Sequence, residues 1–123
     1  MVGKNLREHA GIKDHEVLCP GHSELDLLNS ESVLSYVKNQ KPDLIIHCAG
    51  KVGGIQANIK NPVDFLAMNM NMGFNLVLAA KAAEVPKFLN LGSSCMYPRN
   101  AINPLKEEMV LAGELEPTNE GYA

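Results

Sequence analysis

Apolar positions recur with two different periods along the chain, and the switches between them mark out the elements. Val2, Leu6 and Ala10 stand four apart, the spacing of one helical face, and predict an opening helix closed by Gly11 as its C′ residue. His15-Glu16-Val17-Leu18-Cys19 reads as a short strand stopped by Pro20-Gly21 and followed by a polar, acidic loop through Asp26. Ser30 is placed to cap a second helix, with Val33, Leu34 and Val37 on its apolar face and Lys41-Pro42 at its end. Asp43 to Ala49 is a nearly unbroken apolar run of strand length, the pattern of a parallel strand covered on both faces. After the loop Lys51 to Ile55, Asn61-Pro62 predicts a helix start: Asn caps, Pro fits the first turn, and Asp64 complements the helix dipole. Phe65, Met68, Met72, Leu76, Val77 and Ala80 carry that helix to about Ala83, where Val85-Pro86 ends it. Phe88 to Leu91 is a further strand running into Gly92-Ser93-Ser94. The remainder, Cys95 to Gly121, is turn-rich, with a short acidic helical stretch around Lys106 to Leu111.

Strands alternating with helices predict right-handed βαβ units and a parallel sheet, the α/β class. In such sheets ligands bind beyond the carboxyl ends of the strands. The loops after Cys19, Ala49 and Leu91 are therefore the candidate sites before any chemistry is considered.

Composition narrows the picture. A chain of 123 residues with 46% hydrophobic and 20% charged positions is one domain's worth of packed, ordered protein. With 11 basic and 14 acidic side chains the net charge is −3, which gives no electrostatic footprint for nucleic acid or an anionic membrane. No apolar run is expected to reach the ~20 residues of a membrane span. Met1 to Asn5 lacks a leader's apolar segment, so the expected location is cytoplasmic. Cys19, Cys48 and Cys95 are widely spaced, with no CxxC pair, and read as reduced thiols rather than as a disulfide framework or a metal site.

The richest chemistry lies in Gly92-Ser93-Ser94-Cys95-Met96-Tyr97-Pro98, which presents two hydroxyls and a thiol where a strand ends. A nucleophile elbow of the GxSxG kind is absent, since the second glycine is missing. On spacing alone the block is as well read as a polar turn with a half-buried thiol. Tyr122, after Glu116-Pro117-Thr118-Asn119-Glu120-Gly121, carries no signal without context.

These blocks, with Met1-Val2-Gly3 and Cys48-Ala49-Gly50-Lys51-Val52-Gly53-Gly54-Ile55, resemble the GDP-L-fucose synthases, a family of extended short-chain dehydrogenase/reductases, over the whole chain. The resemblance implies a doubly wound Rossmann-like sheet that is incomplete here. The first strand, the first two glycines of the dinucleotide loop, the catalytic Lys, a partner His and the substrate domain would lie outside residues 1–123. The family is more than twice this length, so the chain is expected to be a partial NADP-binding domain, inactive alone.

The family's activity is 3,5-epimerisation of GDP-4-keto-6-deoxy-D-mannose, then 4-reduction by NADPH, in a homodimer. By residue, the resemblance makes Ser93 the donor to the 4-keto oxygen, Tyr122 the proton donor to that oxygen, and Cys95 the base at C3 and C5. For NADP(H), Val2 and Gly3 match the end of the glycine-rich loop. Asp26 and Leu27 fall near the adenine, and His22 stands where several members carry Arg for the 2′-phosphate. Ala49, Gly50 and Lys51 would pass the ribose and nicotinamide side, Asn69 matches the Asn of the long helix, and Leu91, Gly92, Ser93 and Ser94 would line the nicotinamide face. Another nucleotide-sugar epimerase or dehydratase, or a non-catalytic binding module, stays open as an alternative.

Overall fold

The computed structural model describes residues 1–123. They form two units, Met1–Ala49 with Asn71–Asn90, and Gly50–Met70 with Leu91–Ala123.

In the first unit, α1 spans Val2–Glu8. It stops short of the expected Ala10 because His9 turns extended and its Nδ1 accepts from the Gly11 N–H at 3.1 Å, opening a 3-10 turn over Ala10–Ile12. Gly11 thus lies inside a tight turn and is not a left-handed stop. Helix α2 spans Ser30–Gln40, capped by Asn29 and not by the expected Ser30: the Asn29 Oδ1 accepts from the Ser32 N–H at 3.0 Å. Lys41, left-handed at φ 46°, ends it ahead of Pro42.

The strands β1 (Leu44–His47) and β2 (Lys87–Asn90) pair in parallel, with Ile45 opposite Phe88 and His47 opposite Asn90. β1 is shorter at both ends than the run Asp43 to Ala49 that predicts it, and β2 lies one residue earlier than the expected Phe88 to Leu91. Ile45 and Phe88 pack against a core of Leu25, Val33, Val37, Leu76 and Ala79, of which Val33 is fully buried. His47, two residues on from Ile45 and so on the same face of β1, is buried as well.

The expected strand His15–Cys19 does not form; this is a correction. A strand exists through its ladder, the sheet contains only β1 and β2, and Val17 and Leu18 are each 40% exposed.

The second unit contains α3 (Ile55–Lys60), in a stretch where the sequence predicts only a loop. The Asn58 Nδ2 donates to the carbonyls of Gly53 (3.1 Å) and Gly54 (3.2 Å), which closes the first turn. Asn61 ends α3, its Nδ2 donating to the Ala57 carbonyl at 3.2 Å. The long helix α4 spans Pro62–Ala82, one residue short of expectation. Residues 62–70 belong to this unit, where Phe65 is buried, and residues 71–82 to the first. By length and composition α4 meets the requirement for crossing a membrane, which corrects the expectation that no run does. It also supplies Leu76, Ala79 and Ala80 to buried positions, as a core helix does.

Beyond β2 the chain forms 3-10 turns at Ser94–Met96 and Glu107–Met109. The acidic stretch from Lys106 yields only that single turn, too short to propagate as a helix. Arg99 and Glu114 brace this region, with Arg99 N–H to the Glu114 carbonyl at 3.0 Å and a side-chain ion pair at 2.7 Å.

Candidate functional site

Register partners His47 and Asn90 are the carboxyl ends of the two parallel strands. The chain leaves them into the segments that the sequence marks, and each unit holds its share of the candidate residues by a different device.

In the first unit, Val2 is exposed at the start of α1 and Gly3 follows it. A Cβ at Gly3 would lie 3.0 Å from the Cys48 Sγ. The start of α1 therefore has room for the Cys48 side chain, which follows β1, only because residue 3 carries no Cβ. Asp26 and Leu27 lie in one turn: the Asp26 Oδ1 accepts from the Leu28 N–H at 2.9 Å, and the Leu27 carbonyl accepts from the Asn75 Nδ2 at 2.8 Å. Asn75 lies on the expected long helix, but nothing in the sequence marks it as the partner of this turn. His22 and Ala49 are exposed.

His47 also belongs to this unit. Burial pushes its imidazole below the usual histidine range, and its Nδ1 has no hydrogen-bond partner.

In the second unit, Asn69 clamps the loop after β1 from both sides. Its Oδ1 accepts from the Lys51 N–H at 2.7 Å and its Nδ2 donates to the Lys51 carbonyl at 3.1 Å. A Cβ at Gly50 would sit 3.2 Å from that Oδ1, so the loop lies flat against the amide. The Lys51 ammonium reaches back over the Phe65 ring, 5.7 Å from its centroid, and lies 3.3 Å from the Met68 Sδ.

The three reactive candidates, Ser93, Cys95 and Tyr122, are linked in this same unit. The Ser93 Oγ accepts from the Cys95 N–H at 3.1 Å. The Cys95 Sγ accepts from the Asn119 Nδ2 at 3.5 Å, and the Asn119 carbonyl accepts from the Tyr122 N–H at 2.8 Å. Cys95 and Tyr122 are both partly buried; Leu91, Gly92 and Ser94 are exposed beside them in the chain. A Cβ at Gly121 would meet the Pro62 carbonyl oxygen at 2.6 Å, so the residue before Tyr122 packs directly on main chain at the start of α4. In the sequence Asn119 is one residue of a polar run, and no spacing signal connects it with Cys95, 24 residues away.

Among known proteins, the chain is 57% identical over 123 residues to the GDP-L-colitose synthase of Yersinia pseudotuberculosis, covering all of this chain and 40% of that protein. It is 48% identical over 123 residues to a GDP-L-fucose synthase of Azorhizobium caulinodans, covering all of this chain and 39% of that one. Among solved structures, a GDP-mannoheptose C4 reductase from Campylobacter jejuni with NADP bound superposes with a TM-score of 0.85 at 30% identity, over 98% of this chain and 35% of that one. The chain thus spans about two fifths of the length of the curated relatives it matches. The model of the NAD dependent epimerase/dehydratase family matches residues 1–123, and with the parallel strands and glycine-lined loops above it places this chain in that family.

Proposed function

We propose that this chain is the partial NADP-binding domain of a longer, cytoplasmic enzyme that epimerises C3 and C5 of GDP-4-keto-6-deoxy-D-mannose and reduces C4 with NADPH, giving GDP-L-fucose. The substrate domain lies outside these residues, and the chain alone is inactive. The observation that carries the reading is that the Ser93 hydroxyl holds the Cys95 main chain while Asn119 joins the Cys95 thiol to the main chain of the turn bearing Tyr122.

The residues fit the cofactor. Gly3 leaves room at the start of α1 for the Cys48 side chain after β1, in keeping with the close helix–strand packing of a dinucleotide loop. Val2, Gly3, His22, Asp26 and Leu27 would hold the adenosine side, Ala49, Gly50 and Lys51 the ribose and nicotinamide side with Asn69 bracing their loop, and Leu91 to Ser94 the nicotinamide face. When bound, NADPH supplies the hydride for C4. Ser93 hydrogen-bonds the 4-keto oxygen and draws charge onto it, which acidifies the C3 and C5 protons. Cys95, as thiolate, takes those protons: the C–H bond breaks, its electron pair forms an enolate on the polarised oxygen, an S–H bond forms, and the partner His outside residues 1–123 returns a proton to the opposite face of the carbon. Tyr122 gives its phenolic proton to the 4-oxygen during reduction.

Two further parts of the reading have support. Val63, Leu66, Met70, Phe74 and Val77 are exposed at helical spacing along α4, and a second copy covering them would make the homodimer. Cys19 and Cys48 are exposed and unpaired, as a reducing compartment leaves them.

The test is to supply the full-length protein that carries this chain with GDP-4-keto-6-deoxy-D-mannose and NADPH in deuterated water. Deuterium should enter C3 and C5 and NADPH should be consumed. Cys95→Ser should abolish the exchange, and Tyr122→Phe should slow NADPH consumption by roughly 10²- to 10⁴-fold. A second reading, formation of GDP-L-colitose, is favoured by the 57% identity to a synthase of that name; colitose lacks the 3-hydroxyl, so this reading requires the 3-deoxy analogue of the substrate, and turnover of the two substrates supplied separately tells the readings apart. NADPH binding with no turnover of either substrate would instead favour a non-catalytic binding module.

A further inference from the structure

Cys95 lies in a turn whose main chain is fixed on both sides. The Ser93 Oγ accepts from its N–H, and the N–H groups of Met96 and Tyr97 return to the carbonyls of Ser93 and Ser94, each at 3.2 Å. Its side chain has one partner, the Asn119 amide nitrogen at 3.5 Å. Asn119 is itself held at both ends of its main chain: its N–H donates to the Glu116 carbonyl at 3.0 Å, and its carbonyl accepts from the N–H groups of Tyr122 (2.8 Å) and Ala123 (3.0 Å).

We propose that Asn119 is a positioning residue that sets the direction of the Cys95 sulfur and ties it to the turn bearing Tyr122. This rests on the epimerase reading above, in which Cys95 removes the sugar protons. A cysteine side chain has three staggered orientations about χ1, and a single fixed donor selects the one that faces it. The chemistry of the donor matters too. An amide N–H stabilises charge on sulfur but does not release its proton, so the sulfur stays the proton acceptor for the C–H bond. A histidine, lysine or carboxylic acid there would offer a proton of its own and compete. The main-chain half of the link is independent of side-chain identity, so changes at 119 act on the thiol and leave the Tyr122 attachment in place.

The experiment compares Asn119→Asp, which keeps the shape and removes the donor, with Asn119→Leu and Asn119→Gln in the full-length protein. For Asn119→Asp and Asn119→Leu, deuterium incorporation at C3 and C5 should fall about 10- to 100-fold, through kcat, with KM and NADPH affinity within about twofold. Alkylation of Cys95 by iodoacetamide, read by peptide mass, should slow in the same two variants, and Asn119→Gln should recover part of both rates. Wild-type exchange and alkylation rates in Asn119→Asp would overturn the role given to Asn119 while leaving the epimerase reading intact. Absence of exchange in the unmodified protein would overturn the epimerase reading, and this role with it.

Discussion

The two units are built on different physics. The first buries Leu25, Val33, Val37, Leu76, Ala79 and Ala80 around its paired strands, whereas the second buries a single large apolar side chain, Phe65. With little apolar burial, the second relies on side-chain amides turned onto the main chain, Asn58 on Gly53 and Gly54, Asn61 on Ala57, and Asn69 on Lys51, a device that the first uses at Asn29 and Asn75 beside its core. Apolar burial is non-directional and holds mass together, while a hydrogen bond holds a specific atom in a specific place. The loops with the candidate groups Ser93, Cys95 and Tyr122 sit in the unit that relies most on the directional force, and such regions belong to the low-stability end of a protein.

Leu76→Ala should do the most damage, about 3 kcal/mol of stability lost from the first unit by cavity formation. Urea denaturation would read it, and hydrogen exchange should locate it in the amides of β1 and β2. An equal rise at Lys51 would break the distinction between the units.

Asn69→Ala should cost about 1–2 kcal/mol, because it leaves the Lys51 N–H and carbonyl unpaired. Its mark should be faster exchange of the Lys51 amide with little change in the core transition; a drop in the core transition as large as that of Leu76→Ala would show that the clamp is not local.

The smallest effect concerns His47. Its folded-state pKa is lowered by burial, so above the ordinary value of 6.5 it is neutral in both the folded and unfolded states and contributes no pH dependence. As the pH falls below 6.5 the unfolded chain takes up a proton that the folded chain refuses. Stability therefore drops until the folded-state value is passed. Thermal midpoints measured between pH 7.5 and 5.5 should fall, and His47→Leu should flatten that slope; an unchanged slope would place the sensitivity elsewhere.

The same contrast explains what the sequence discloses. Elements of the first unit and α4 are legible because apolar residues repeat at their structural period: Val33 and Val37 in α2, the run through β1, and Phe65 to Ala80 in α4. Helix α3 is invisible to that signal, since Ile55 and Ile59 are more than half exposed and the helix is closed by the Asn58 amide. His15 to Cys19 has a strand's composition, but pairing is non-local and nothing within five residues reports whether a neighbour exists. At the site, a glycine-serine loop following a strand exposes Ser93 and Cys95 to a reader of sequence. Asn119 stays hidden because its partner lies 24 residues upstream and no spacing rule connects them.

Gly121 carries no functional group, yet any side chain there would collide with the Pro62 carbonyl oxygen at 2.6 Å. Every missense change in a glycine codon adds a Cβ, so no amino acid replacement is gentle at this position. In a saturation library scored by growth, position 121 would therefore show the depletion profile expected of a catalytic residue such as the one proposed at Tyr122 beside it. What selection would be protecting there is an empty volume, and a mutational map alone would misfile it as chemistry.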